Sequence, residues 1–581
     1  MSRNQDLFGT EQPPVVRREF TAGRLSFALE NGALRHVTLD GVEAIRAIAF
    51  LVRDRDWGTV NPTILDEVIT QSEDAVRIAF MARYENGGAR LDVEVAVQTA
   101  ADGVTVSAKG RSFGDFETNR AGFTVLHPIN GVAGQPVRVD HSDGSSEASV
   151  FPYLIEPWQP FMDITGLTHH VGDSAVTCAF HGDTFEMEDQ RQWGDASYKT
   201  YNRPLAKPWP YLIDDGAALE QSVSLTWAAA ERADVRRADA EDFDATVAQM
   251  ALVMSPQDAL RLASSPTDLL AVNPQRLLCH LDATLGDTAG QFDAFAQAQR
   301  ACPETTFDLE LICRCDADPE PEMMELSAQM AVAGFAPASV LVCPSVDRQS
   351  TPPGSEWPAC PPLEQVHAAA ARAFPDLVRG GGTVSFFPEL NRKRPPVEML
   401  DFVSHGLCPI VHAADDLSVM ETLETISHIT RSARAIIGAR SYRIGPASIA
   451  MRQNPYGDRT LPNPDNGRVC MADDDPRHRA KFGAAYAVGL AAALAPAGLE
   501  VWTPAGLYGP RGVIGDAGET WPLTAALKRL AALAGQPVKQ ATQSGGIARL
   551  VAGNVEIVVN VTDQQINDLG PYEWRLTDLS A

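Results

Sequence analysis

Glu389 closes the apolar run Val384-Ser385-Phe386-Phe387-Pro388, where aromatic surface would strip water from its carboxylate. Partial desolvation raises a carboxyl pKa toward the range useful for general acid–base work. Arg392, Lys393 and Arg394 follow at once and offer the competing reading, a plain ion pair. Other polar residues occupy the same kind of position: His280 and Asp282 in CHLDA, Glu310 and Arg314 in LELICR, and Asn391 two places after Glu389. His412 ends PIVHA ahead of Asp415 and Asp416, Arg443 lies in SYRIGP, and Trp502 in EVWTP. Alternate residues of a strand share a face. Any one of these could be a structural salt bridge. Their recurrence at the ends of apolar runs points to a shared site, because an unsatisfied buried polar group costs roughly 2–7 kcal/mol.

A second dense segment is Phe185–Leu205, FEMEDQRQWGDASYKTYNRPL. Glu188, Asp189, Arg191, Trp193, Lys199 and Tyr201 combine carboxylates, cations and aromatic rings, a set that suits polyol recognition. An interdomain salt-bridge network is the alternative. A third segment, Arg452–Asp458, contains Asn454 and reads either as a binding loop or as a structural turn at Asn454-Pro455.

The missing motifs also discriminate. There is no GxSxG nucleophile elbow, no HExxH and no HxH. His169 and His170 are adjacent, which puts them on opposite faces of a strand. The nine cysteines include no CxxC pair, only Cys313-Arg314-Cys315, and read as reduced, buried thiols. Lys plus Arg number 48 and Asp plus Glu 75, a net charge of −27, which argues against nucleic acid as a partner. The first twenty residues hold no apolar signal-like core, and no stretch of about 18 apolar residues occurs. A cytoplasmic protein without a membrane partner is expected.

Three textures along the chain would position these residues. From residue 15 to about 230, apolar and polar residues alternate between Asn-Gly and Asp-Gly turns, the signature of half-buried antiparallel strands. From 236 to about 535, apolar runs at 276–283, 306–314, 339–346, 383–391, 407–415, 441–449 and 499–506 alternate with amphipathic stretches. Seven β-then-α units are clear and an eighth fits in 245–275, which suits a (β/α)8 barrel. No Gly-rich phosphate turn follows the first run to favour a doubly wound sheet. After 537 the strand pattern returns. The expected fold class is multidomain α/β plus β: an N-terminal β-sandwich over 1–235, a central (β/α)8 TIM-like barrel over 236–536, and a small C-terminal β domain over 537–581. In a barrel the catalytic groups stand at the C-terminal strand ends.

The segment FEMEDQRQWGDASYKTYNRPL, with RIGPASIAMRQNPYG (443–457) and FFPELNRKRPP (386–396), resembles the D-apionate lactonase family of apiose catabolism. The similarity runs through nearly the whole chain. It implies hydrolysis of D-apionolactone to D-apionate in the cytoplasm. It brings no catalytic residues with it, so the roles that follow come from the residues themselves.

Lactone hydrolysis needs a deprotonated water, a stabilised oxyanion and fixed hydroxyls. Without a serine elbow, direct attack by water is the simpler route. Glu389 is expected as general base or acid, and His412 as its partner or an oxyanion donor. Asp189 and Glu188 would bind hydroxyls or supply the second carboxylate. Arg191, Lys199 and Arg443 would meet negative charge, and Trp193, Tyr201 and Trp502 would stack. His280, Asp282, Asn391 and Asn454 complete the substrate contacts, with no metal and no cofactor. The rival enzyme is a glycoside hydrolase with two strand-end carboxylates about 5–5.5 Å apart, and the non-enzymatic rival is a carbohydrate-binding protein. The reading requires the 185–205 stretch to fold over the barrel rim, so that both contribute walls to one small chamber for the cyclic ester.

Overall fold

The computed structural model describes residues 2–55, 57–230, 245–457 and 459–580. The expected boundary at 235/236 and the end of the third segment, Asp458, lie outside the described residues. Two compact units are present: Pro14–Arg191 with Ala196–Ala240, and Met1–Pro13 with Gln192–Asp195 and Glu241–Ala581.

The first unit contains an eight-stranded and a nine-stranded antiparallel sheet. Its strands alternate as the sequence pattern requires; along Val76–Asn86 every second side chain is buried until the last turn. The hairpin at Asn31-Gly32 has positive φ at both residues, 46° and 79°, the conformation that an Asn-Gly turn provides at low cost. Phe27, Phe50 and Phe123 from one sheet and Val93, Val106 and Leu167 from the other form one core. The Tyr84 hydroxyl crosses between the layers and donates to the Phe50 carbonyl at 2.9 Å.

The second unit is built on eight parallel strands: β1 Gln249–Met254, β2 Arg276–Asp282, β3 Thr306–Cys313, β4 Ser339–Pro344, β5 Val378–Phe386, β6 Phe402–Gly406, β7 Ser441–Ile444 and β8 Val501–Tyr508. Each pairs with the next, and β8 pairs back with β1, so the barrel is closed. The eighth unit is β1, followed by a helix at Pro256–Ser264. Its capping box joins Ser255 and Asp258, and Pro256 sits in its first turn.

Two runs differ from the sequence reading. The run 383–391 ends as strand at Phe386 and continues as helix Phe387–Lys393, because Pro388 suits a first helical turn. The run 407–415 is loop, and its strand lies earlier at β6, whose five residues are all buried. Such a strand, covered on both faces, has no period-2 signature to read. Both shifts move a candidate residue: Glu389 from a strand to a helix, His412 from a strand to the loop after β6.

Four antiparallel strands, Val538–Ser544, Ile547–Ala552, Val555–Asn560 and Trp574–Asp578, close the chain. They belong to the same compact unit as the barrel. So does the first helix, Arg3–Phe8, whose Phe8 ring lies 6.1 Å from Phe482 and 5.6 Å from Tyr572. Among the described residues no helix is long and apolar enough to cross a membrane.

Strand β5 carries three consecutive glycines at 380–382. At Gly382 φ is +108°, and a Cβ there would stand 2.2 Å from the Ser404 carbonyl oxygen of β6. Gly382→Ala is expected to destabilise the barrel by about 2–4 kcal/mol, read as a lower urea midpoint. An unchanged midpoint would contradict this close approach.

Candidate active site

The barrel's C-terminal rim carries two imidazoles, each fixed by a carboxylate. The first is His412, in the loop after β6. Its Nδ1 lies 2.7 Å from Oδ2 of Asp195. A carboxylate only accepts, so Nδ1 carries the proton and Nε2 presents its lone pair. Asp195 comes from Gln192–Asp195, a four-residue stretch inside the strand-rich region that belongs to the barrel unit. That segment is held at the rim: the Thr425 hydroxyl donates to the Gly194 carbonyl at 2.9 Å. The Trp193 ring meets His412 edge-on at 5.7 Å, lies 5.3 Å from the Tyr456 ring, and has the Arg392 guanidinium 5.8 Å from its centre. His412 and Asp195 side chains keep 15% and 18% of their surface exposed, enough to meet a small molecule.

The second imidazole is His280 on β2, with Nδ1 2.6 Å from Oε1 of Glu310 on β3. Arg452, from the loop after β7, reaches the same oxygen at 2.6 Å and the Val384 carbonyl at 3.0 Å. Burial alone would push the Glu310 carboxyl up. The charge of Arg452 and the bond from His280 outweigh it and hold the group at about 2. Nearby, Asp282 pairs with Arg348 at 2.6 Å and accepts from the Thr284 amide at 2.9 Å.

Glu389 lies in the first turn of helix Phe387–Lys393 and is turned inward, 1% exposed. The Thr351 amide and hydroxyl each donate to it at 3.3 Å, and Arg392 and Lys393 stand 3.6 and 3.7 Å away. Burial holds its carboxyl above the ordinary range although both cations pull the other way. Lys393 also pairs with Asp347, and Arg392 donates to the Ser350 hydroxyl at 3.1 Å. Both the desolvation and the ion pair expected from sequence are present, but the carboxylate does not face the open mouth.

The other candidates are distributed as follows. Asp189 and Arg191 form a fully buried pair in the N-terminal unit, 2.6 Å apart. Arg191 also donates to the carbonyls of Pro152 and Tyr153, and the Glu156 amide donates to Asp189. These bonds clamp the chain just before Gln192 and occupy the groups expected to bind hydroxyls. In the same unit Lys199 pairs with Glu188, and the Tyr201 hydroxyl donates to Glu186. Arg443 sits at the barrel floor, bonded to Glu500 at 2.8 Å and the Ser339 hydroxyl at 2.7 Å, with Asp308 at 3.6 Å. Val501 and Thr503 line the water-sized void of about 20 Å³ inside the barrel, so alternation turns Trp502 outward. Asn454 braces its own loop through the Arg459 carbonyl and the Tyr456 amide. Asn391 is buried on the helix that carries Glu389. Among the described residues no three His, Cys, Asp or Glu side chains are grouped to hold a metal ion.

Sequence reasoning missed Asp195 and Glu310 as orienting carboxylates, and Arg452. The Asp195–His412 pair spans 217 positions, so no local spacing could announce it. Each rim carboxylate named in these pairs is engaged by a cation or an imidazole.

Two family models match the chain over its strand-rich region and its barrel. The model for the D-apionate lactonase N-terminal domain matches residues 5–230, and that for the D-apionate lactonase TIM barrel domain matches 250–535. The chain belongs to the D-apionate lactonase family. A D-apionate lactonase of Brucella anthropi is 45% identical over 547 residues, covering 91% of this chain and 90% of the relative. Among solved structures, a GH30 endoxylanase from Clostridium papyrosolvens covers 55% of this chain and 83% of its own, with a TM-score of 0.37 and 8% identity. A GH36 α-galactosidase from Geobacillus stearothermophilus covers 94% and 91%, with a TM-score of 0.27 and 12% identity. Neither likeness is close enough to bear on function.

Two outcomes test this arrangement. Arg443→Met should remove the bonds to Glu500 and the Ser339 hydroxyl at the barrel floor, where Asp308 keeps Arg276 at 2.6 Å, and cost about 1–3 kcal/mol in urea stability, with KM unmoved; a raised KM at intact stability would place Arg443 against substrate. Glu310 ionises in the fold at about 2 rather than 4.5. Its contribution, about 3 kcal/mol, is therefore present above pH 4.5 and lost as pH falls toward 2. Glu310→Gln should flatten that slope of stability against pH, and an unchanged slope would contradict the pairing.

Proposed function

We propose that this chain hydrolyses the lactone of D-apionate by direct attack of water, with His412 as the general base. The observation that carries the reading is the 2.7 Å bond from Asp195 to His412 Nδ1 at the barrel rim, beside the Trp193 ring. With Nδ1 committed to the carboxylate, Nε2 takes a proton from water as the water oxygen bonds to the ring carbonyl carbon. The imidazolium that forms is stabilised by Asp195. The carbonyl oxygen becomes an oxyanion, and the rim cations Arg348 and Arg452 supply positive charge on that side. Collapse of the tetrahedral adduct breaks the bond between the carbonyl carbon and the ring oxygen. The departing oxygen takes a proton from an imidazolium, with His280, fixed by Glu310, as the second donor available on the rim. The products are a free hydroxyl and a carboxylic acid, which releases its remaining proton to bulk water to become the carboxylate. Tyr456, backed by the Trp193 ring at 5.3 Å, offers an exposed aromatic surface for the carbon face of the furanose.

Glu389 is assigned here as a positioning residue: it holds Arg392 beneath Trp193 and Lys393 on Asp347. The substrate is a small sugar lactone, supported by the name of the Brucella anthropi relative. All nine cysteines are free, which supports a reducing, cytoplasmic setting.

Turnover of the purified lactone, followed as acid release, tests the assignment. His412→Asn should lower kcat by about 10²–10⁴-fold. Glu389→Gln should cost less than about tenfold and leave the pH profile in place. The opposite pattern, a near-silent His412 variant and a Glu389 variant that loses turnover together with the acidic limb, would make Glu389 the base.

A further inference from the structure

The eight-stranded sheet of the N-terminal unit has a polar face that the lactonase reading does not use. On strand Arg120–His127, Ala121, Phe123 and Val125 enter the core, so Arg120 and Thr124 project from the other side. Thr124 stands opposite Tyr201, and Tyr201 opposite Glu186, which puts all four side chains on that face. Three of their atoms are buried without a hydrogen-bond partner: Arg120 Nε, Thr124 Oγ1 and Glu186 Oε2. The residues themselves are 6%, 3% and 0% exposed.

Arg120 is the most telling of the three. Its guanidinium lies 3.9 Å above the centre of the Tyr201 ring and 5.3 Å from that of Trp57. Among the described residues no carboxylate pairs with it. The neighbouring acids are engaged: Glu188 by Lys199, and the other oxygen of Glu186 by the Tyr201 hydroxyl and the Leu205 amide. Arg53 stands directly opposite Arg120 in the register and adds a like charge. A buried guanidinium without a counter-ion is costly, and stacking on two rings offsets only part of the cost. Such a group is stable where an anion completes it.

The surrounding atoms specify that anion further. The planar fork of a guanidinium suits a carboxylate. Thr124 Oγ1 can donate or accept, and Glu186 Oε2 accepts, so each can bond a hydroxyl. Trp57 offers an aromatic surface for a C–H face. We propose that this face is a second binding site, for a small polyhydroxy carboxylate. None of its residues belongs to the barrel rim, and the proposal does not depend on which rim group is the base.

Calorimetric titration of the full chain with sodium D-gluconate tests it, with sorbitol and acetate as probes that each lack half of the recognised chemistry. Gluconate should bind more tightly than either. Arg120→Gln should weaken it about tenfold or more, and Thr124→Val, close in shape to threonine, should weaken it severalfold. His412→Asn should bind it as the wild type does. Far-UV circular dichroism identifies a misfolded variant, and Thr124→Val then decides. No gluconate binding to the wild type, equal binding by the Arg120 and Thr124 variants, or a loss confined to the His412 variant would each overturn the proposal.

Discussion

One carboxylate–imidazole contact organises this enzyme. Asp195 accepts the Nδ1 proton of His412 and so determines which nitrogen of the ring faces the barrel mouth. An imidazole free to rotate or change tautomer would present a lone pair only part of the time. The contact also sets a demand on the chain. A residue from the strand-rich half must reach the rim of a barrel that begins some fifty positions later. The buried Asp189–Arg191 pair, tied to the 152–156 backbone, fixes the chain immediately before that reach, and the Thr425 bond to Gly194 receives it.

The rim is an arrangement of matched charges on a strongly acidic chain. Glu310 is shared by His280 and Arg452, Asp282 holds Arg348, Asp347 holds Lys393, and Glu389 lies between Arg392 and Lys393. The pairs of Glu310, Asp282 and Asp347 join β2 and β3 to the loops and helix after β4, β5 and β7, whereas Glu389 is compensated within its own helix. The barrel floor repeats the device with Arg443, Asp308 and Glu500. At the mouth His280, Arg348 and His412 keep part of their surface exposed, where a small molecule can meet them.

Much of this architecture was legible in the sequence, for definite reasons. Alternation between Asn-Gly turns revealed the sandwich, and apolar runs spaced by amphipathic stretches revealed the barrel. The site was legible only as a neighbourhood. His280, His412 and Trp193 drew notice because polar or aromatic groups at such places need a reason, and the fold puts all three in the barrel unit. Their pairings were not legible, since Asp195, Glu310 and Arg452 meet them through the fold and not through spacing. Glu389 stood out because it follows an aromatic run, yet Pro388 starts a helix there and turns the carboxylate inward. Arg443 and Trp502 were misplaced by a different ambiguity: a short strand does not announce which end is the floor, and one step of alternation exchanges inside for outside.

The central claim is the tautomer of His412, and ¹⁵N nuclear magnetic resonance of the imidazole nitrogens in the full chain measures it directly. Above the imidazole's own titration, the account predicts a protonated Nδ1 and an unprotonated Nε2, with Asp195→Asn abolishing that preference. A ring that carries its proton on Nε2 in the wild type, as unconstrained imidazoles prefer, would contradict it.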